Sequence, residues 1–150
     1  MLLSTCRGSS RKTRAFSRAL VAYLEAHYLS RGKRSLSELF KIASEDDGRL
    51  VLVGKRMGVP SKLTFYRDGV ELFWFSFTCP SIEGVVERRA LPIVIKGEGV
   101  LYECLKDFFG QGSSVDCECC KTLKVGADQL ALYACDDEVA TLKLRGLGGV

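Results

Sequence analysis

The stretch RLVLVGKRMGVPSKLTFYRDGVELFWFSF, Arg49 to Phe77, is the part of the chain from which a fold can be read outward. Leu50 to Val53 is an apolar run without alternation, the pattern of a strand covered on both faces, as strands of parallel sheets are. After Pro60, two further strands are joined across Asp68-Gly69, a dipeptide that accepts the positive φ angles of a tight hairpin turn. In the second of them Phe73, Phe75 and Phe77 alternate with Trp74, Ser76 and Thr78. One face of that hairpin must therefore pack on helices. Trp74 and Tyr66 are the aromatic residues left as candidates for contact with a ligand.

Upstream, Met1 to Thr5 is short and apolar and leads to Gly8, after which Ser9 or Ser10 can cap a helix running to about His27. A short strand is expected at YLSR, Tyr28 to Arg31. Ser35-Leu36-Ser37-Glu38 has the form of a capping box, with Leu36, Leu39, Phe40 and Ala43 behind it and Gly48 as a natural stop. The order is β-α-β-α-β and then a hairpin, which favours parallel first strands covered by helices. Downstream, CPSIEGVVERRA (Cys79 to Ala90) reads as a linker. LPIVIKGEG gives a strand and VLYECLKDFFG a helix with Leu101, Cys104, Leu105 and Phe108 on one face. VDCECCKTLKV, QLALYAC and EVATLKLR then form an antiparallel meander around Asp136-Asp137-Glu138. The expected fold is α/β with a mixed sheet, a single domain over 1–150. Its halves span about 1–79 and 91–150, with a linker at about 80–90.

With 150 residues, 47% of them hydrophobic, the chain can bury about 68–70% of its unfolded surface. No apolar run reaches the length of a membrane span, so a soluble cytoplasmic protein without membrane contact is expected. The net charge of +4 hides an asymmetry: residues 1–60 hold 12 Lys and Arg against 5 Asp and Glu, whereas residues 61–150 hold 10 against 13. A one-sided positive excess is the footprint of a domain that meets phosphates.

The seven cysteines do not have zinc-knuckle spacing, since Cys117-Glu118-Cys119-Cys120 has no second pair and His27 is the only histidine. Cys117 and Cys119 fall in step with Val115, Leu123 and Val125, while Cys120 and Lys121 break the alternation. The cysteines are therefore read as small core residues of a strand in a reducing compartment, with no metal and no cofactor.

The chemistry lies in the basic residues. At 100° per residue Arg11, Arg14 and Arg18 fall in one stripe of the first helix, with Phe16, Leu20, Tyr23 and His27 opposite. A solvated amphipathic helix would also look like this. However, arginine grips phosphate in a bidentate way, the first acid is Glu25, and cations at a helix start oppose the macrodipole. A bound anion relieves that conflict. The preceding Gly8-Ser9-Ser10 adds hydroxyls and free N–H groups.

Each of the first three strands is followed by a glycine-containing basic loop: Arg7-Gly8 with Arg11-Lys12, then Arg31-Gly32-Lys33-Arg34, then Gly54-Lys55-Arg56 with Gly58. Loops after parallel strands share one sheet edge. A phosphorylated metabolite needs one such cradle, whereas a polyanion backbone can use three. There is no nucleotide-binding fingerprint, and one histidine gives little scope for acid–base catalysis, so an enzyme is not expected. The rivals are an adaptor that takes an acidic protein partner and a tRNA-binding module.

LLSTCRGSSRKTRAFSRAL followed by YLSRGKRSLSELF resembles the opening of the Brix-domain family of ribosome-biogenesis proteins, above all its short archaeal members, which look like the U3-associated pre-rRNA processing factor of eukaryotes. The S/T-S-R-x-x-S-x-x-T-R-x-F type run of those members corresponds to Ser4 through Phe16, and their R-G-K-x-S-L segment to Arg31 through Leu36. TLKLRGLGG only loosely echoes the glycine-proline-arginine end of the eukaryotic members. The resemblance implies a domain of two related α/β halves, similar to the anticodon-binding domain of class II aminoacyl-tRNA synthetases, that binds ribosomal RNA without chemistry of its own. A guide RNA–protein particle and ribosomal proteins are the further partners it implies. Carried over, the RNA contacts are Ser9, Arg11, Arg14, Arg31, Gly32 and Lys33. Helix and loop geometry adds Arg7, Ser10, Lys12, Arg18, Arg34, Lys55 and Arg56.

Overall fold

A computed structural model of the chain describes residues 1–78, 91–110 and 119–150. The expected linker at about 80–90 and Cys79, Val115, Asp116, Cys117 and Glu118 lie outside the described residues. Among the described residues, nine strands form one mixed sheet in the order β2-β1-β3-β4-β5-β9-β8-β7-β6. They are β1 (Leu2–Thr5), β2 (His27–Tyr28), β3 (Arg49–Arg56), β4 (Val59–Arg67), β5 (Val70–Thr78), β6 (Ile93–Gly97), β7 (Lys121–Val125), β8 (Gln129–Ala134) and β9 (Asp137–Gly148). The helices are α1 (Arg11–Leu24), α2 (Leu36–Ser44) and α3 (Val100–Phe109).

The parallel pairs are β1 with β2, β1 with β3, and β6 with β7; the others are antiparallel. Two stretches therefore share one chain order: a strand, a crossover to a parallel strand, then two antiparallel strands. The last strands of each, β5 and β9, pair antiparallel at the middle of the sheet, Trp74 opposite Gly148 and Thr78 opposite Lys143.

Packing follows the alternation of the strands. On one face, Phe65, Phe73, Phe75 and Phe77 meet Phe16 and Leu20 of α1 and Leu101, Leu105 and Phe108 of α3. Phe16 stacks on Phe77 at 5.5 Å between ring centroids, and Phe108 stands edge-on to Phe65 at 4.9 Å. On the other face α2 lays Leu39 and Ala43 over Leu2, Leu50 and Tyr66. Leu50 to Val53 thus sits between two helical layers, as its unbroken apolar run requires.

The local signals hold at their sites. Ser35 and Glu38 make the reciprocal capping box. Asp68 and Gly69 both adopt positive φ, 51° and 80°, in the β4–β5 turn. Gly48 (φ 75°) sends its N–H to Ala43 O and takes Asp68 N–H on its own carbonyl, so the end of α2 is tied to that turn.

Several expectations need correction. The first helix stops at Leu24, because Glu25 turns left-handed (φ 56°) and sends its N–H to Val21 O. His27 is then an exposed residue of β2 rather than part of the helix's apolar face, and β2 covers His27–Tyr28 instead of Tyr28 to Arg31. Lys55 and Arg56 are not in a loop: they belong to β3 and pair with Pro60 and Val59 across a two-residue turn. Met57 (φ 52°) and Gly58 (φ 77°) make that turn, and a methionine in a position of positive φ gives no sequence warning.

β7 begins at Lys121, so its inward set is Lys121, Leu123 and Val125, and Cys119 precedes the strand. Lys121 is fully buried with its ammonium 5.9 Å over the Tyr23 ring, which its long aliphatic stem permits. Cys119 and Cys135 are joined by a disulfide, and Cys6, Cys104 and Cys120 are half-buried free thiols. These five cysteines are therefore not fully buried core residues.

Two contacts couple the ends of the sheet. The Tyr23 hydroxyl donates to Tyr133 O at 2.8 Å and lies 3.1 Å from Thr122 O, and burial pushes its pKa up. Arg67 donates to Phe108 O at 2.9 Å and Arg49 to the same oxygen at 3.2 Å, placing cations where the carbonyls of α3 end.

Replacing Phe75 by alanine should cost about 3–5 kcal/mol in urea-denaturation experiments, because the cavity opens under both helices. Partial burial alone would raise the pKa of Asp47. The Arg49 guanidinium and backbone N–H, with the Met1 amino group, overrule it and hold the carboxyl at about 2. A depressed folded-state pKa stabilises the fold above the ordinary carboxylate range and loses that effect as pH falls toward 2. Because the carboxylate is largely solvated, the loss should be no more than about 1 kcal/mol. Asp47→Asn should remove this part of the acid limb in denaturation measured between pH 5 and pH 2.

Candidate nucleic-acid interface

Why α1 begins where it does is settled by Ser10. Its extended backbone (φ −76°, ψ 166°) leaves the side-chain oxygen to accept from Thr13 N–H at 3.1 Å. The same hydroxyl donates to Gly58 O at 2.5 Å, which joins the helix start to the β3–β4 turn. The Lys55 ammonium reaches across to Gly8 O in the loop after β1. Two of the three basic segments are thus bonded directly to each other at one end of the sheet.

The inward face of α1 is Thr13, Phe16, Ser17, Leu20, Tyr23 and Leu24. That leaves Arg11, Lys12 and Arg18 exposed and Arg14 half-exposed on the outer side. The first turn of α1 carries no acid. Arg14 donates to Ser9 O at 2.6 Å, so it stiffens the loop as well as presenting charge. Arg18 stands 5.7 Å over the ring of Tyr28. Arg7 and Gly8 are exposed, and Ser9 is half-exposed.

The third basic segment follows β2 at the sheet margin and folds on itself. Arg31 Nε donates to Arg34 O at 3.1 Å, Arg34 Nη1 to Ser30 O at 3.0 Å, and Gly32 takes a φ of 54°. Gly32, Lys33 and Arg34 are exposed and Arg31 half-exposed. It lies at the same end of the sheet, beyond β2, but its hydrogen bonds are its own.

Residues outside the sequence reading join the site. A cleft of about 770 Å³ opens beside the β3–β4 turn, its lining including Lys55, Arg56, Met57, Lys62, Thr78 and Arg145. Arg145 is the extra residue of a bulge in β9, where the pairing with β5 shifts between Ser76 and Phe77. Its basic neighbours lie far away in sequence, so no local motif could signal it.

The corresponding place in the second stretch, the start of α3 after β6, has a different character. It forms a cleft of about 380 Å³ whose lining includes two acids, Glu98 and Asp128, against one cation, Arg145, together with Gly99 and Gly126. Acids there would repel the anion that arginines attract at α1. Among the described residues, no group of three or more His, Cys, Asp or Glu side chains is placed to hold a metal ion, and no helix is long and apolar enough to cross a membrane.

No family model matches the chain. Individual relatives do. A probable Brix domain-containing ribosomal biogenesis protein of Methanosarcina mazei is 31% identical over 113 residues, which is 73% of this chain and 70% of the relative. One from Methanococcoides burtonii is 31% identical over 108 residues, 70% and 68% of the two chains. The chain belongs to the Brix-domain ribosomal biogenesis proteins. Among solved structures, Mil, an archaeal Imp4-like protein, superposes on this Brix protein with a TM-score of 0.77 at 24% identity, over 99% of both chains. A probable ribosomal biogenesis protein from Aeropyrum pernix gives 0.70 at 19% identity, over 98% of this Brix protein and 94% of its own length. These two likenesses establish the fold.

Ser10→Ala would remove both the cap of α1 and the tie to Gly58. The expected loss is about 1–2 kcal/mol by chemical denaturation, at the upper end of cap substitutions.

Proposed function

We propose that this protein is a non-catalytic ribosome-biogenesis factor that binds ribosomal RNA through the start of α1 and the neighbouring β3–β4 turn. The observation that carries the reading is the hydrogen-bonded junction of Ser10 with Gly58 and of Lys55 with Gly8. It sets the uncompensated arginines of α1 beside the cations of β3 on one solvent-facing surface. Such a surface is larger than one phosphate group and follows a backbone. Family membership supplies the cellular context, ribosome assembly, and makes ribosomal RNA the polyanion of first choice.

Arg11, Arg14 and Arg18 would grip phosphates along α1, with Lys12 and Arg7 at its entrance and Lys55 and Arg56 on the adjoining strand. Ser9, Gly8 and the first-turn N–H groups allow close approach of a phosphate to the backbone. Arg31, Gly32, Lys33 and Arg34 would meet the same strand of RNA further along the sheet margin. Protein partners of the maturing ribosomal particle are compatible with the opposite surfaces.

Neutralising about six phosphates on single-stranded RNA should give a slope of log K against log[salt] near about −4. A flat slope with no ribosomal RNA retained would overturn the reading in favour of an acidic protein partner. In Arg11→Glu/Arg14→Glu/Arg18→Glu, the inward face of α1 is untouched, and an acid in the first turn suits the macrodipole. Thermal melting followed by circular dichroism should therefore stay close to that of the parent. Filter binding of transcribed ribosomal RNA should fall by at least about a hundredfold, since several charge-assisted contacts go at once.

A further inference from the structure

The face of the sheet opposite α1 and α3 is covered by α2 only over β1, β3 and part of β4. Beyond it, among the described residues, β5, β9, β8, β7 and β6 carry no helix on that side. Counting along the registers, this bare face presents Lys62, Trp74, Ser76, Lys143, Lys124 and Lys96. Lys143, Lys124 and Lys96 are exposed and Trp74 is half-exposed. The acids on this face are Glu71, opposite Tyr66 near the β4–β5 turn, and Glu138, which lies opposite Tyr133 and accepts from the Thr141 hydroxyl; Asp128, Asp136 and Asp137 lie in or beside the turns at the ends of β8 and β9.

Trp74 is built into this face. It leans toward β9, where Gly146 and Gly148 make room: a methyl group at Gly148 would stand 2.5 Å from the indole, and one at Gly146 3.6 Å. From the β4 side, the Lys62 ammonium sits 4.3 Å from the ring centroid. The indole is thereby held between the glycines of β9 and the Lys62 ammonium. The cleft lined by Lys55, Arg56, Lys62 and Arg145 adjoins it and connects it to the start of α1.

We infer that this bare face is a single-stranded RNA platform, on which an unpaired base stacks on Trp74 while Lys62, Lys143 and Arg145 take the flanking phosphates. The inference rests on the RNA-binding reading above and deepens it by naming the form of RNA. A half-exposed ammonium on an indole contributes little, whereas a stacked base offers a full π-face. Once displaced, Lys62 is already placed to pair with the phosphate of the incoming nucleotide. A duplex cannot use the platform, because its bases are stacked on each other and a flat sheet cannot reach them. Phosphate contacts at α1 serve either form, so Trp74 is where the two are told apart.

Trp74 is the sole tryptophan, so its fluorescence reports the platform without any label. The full chain is titrated with a single-stranded RNA of about twelve nucleotides, with the same sequence as a duplex, and with polyglutamate. The single strand should quench the fluorescence and the duplex should bind without quenching. Trp74→Ala should weaken the single strand about fivefold to a hundredfold, leave the duplex unchanged, and be largely rescued in Trp74→Phe. If Trp74→Ala melts early, the quenching of the parent and the Phe variant still decide the matter. Single-strand binding with no quenching, and with equal affinity in Trp74→Ala and the parent, would overturn the platform and leave the α1 site standing. Quenching by polyglutamate but not by RNA would make the face a protein-docking surface. Failure to bind either RNA would remove both readings together.

Discussion

The ridge of phenylalanines along β5 is the contact on which the remainder of the molecule is arranged. Phe73, Phe75 and Phe77 project to one side of the central strand, joined by Phe65 of β4 at 4.4 Å from Phe73. α1 meets the ridge through Phe16 and α3 through Phe108. Rings this large dominate the area buried in a chain of this size, and their offset and edge-on geometries add direction to that burial. With Phe16 fixed inward, the helical period leaves Arg11, Arg14 and Arg18 no position except the outer side.

That orientation carries an electrostatic cost which the fold does not correct. Cations at a helix start oppose the macrodipole, and no acid stands in the first turn of α1 to offset them. α2, by contrast, has Glu38 at its start and Lys41 toward its end, as an undisturbed helix would. The start of α3 is surrounded by Glu98 and Asp128. One topology used twice in the sheet therefore differs in charge at its two crossover ends: arginines without an acid in the first turn at α1, and two acids against Arg145 at α3.

Much of the fold was legible from local rules. The capping box at Ser35, the Asp68-Gly69 turn, the apolar run at Leu50 to Val53 and the apolar face of α3 each depend on residues a few positions apart. The departures have a common source too. Glu25 and Met57 adopt left-handed backbone without being glycine or asparagine, so no local signal marks the end of α1 at Leu24 or the two-residue β3–β4 turn. Lys121 reads as a break in an alternating strand because the Tyr23 ring over which its buried ammonium stands is distant in sequence. The stripe of arginines was visible as geometry, but the basic face containing Lys62, Lys124, Lys143 and Arg145 was not. Its members come from three strands, and in sequence their charge is offset by acids that the fold leaves mostly at or near the turns.

The sequence by itself determined which segments become helix or strand, which side of each helix is apolar, and that the first third carries the positive charge. These follow from period, capping and composition, all of which act within a turn or a hairpin. Only the tertiary structure decided that β5 and β9 pair at the centre, that Ser10 and Lys55 join two basic segments into one surface, and that Trp74 lies beside two glycines of β9. Those contacts link residues from distant parts of the chain, and they form because burying the phenylalanine ridge brings those parts together.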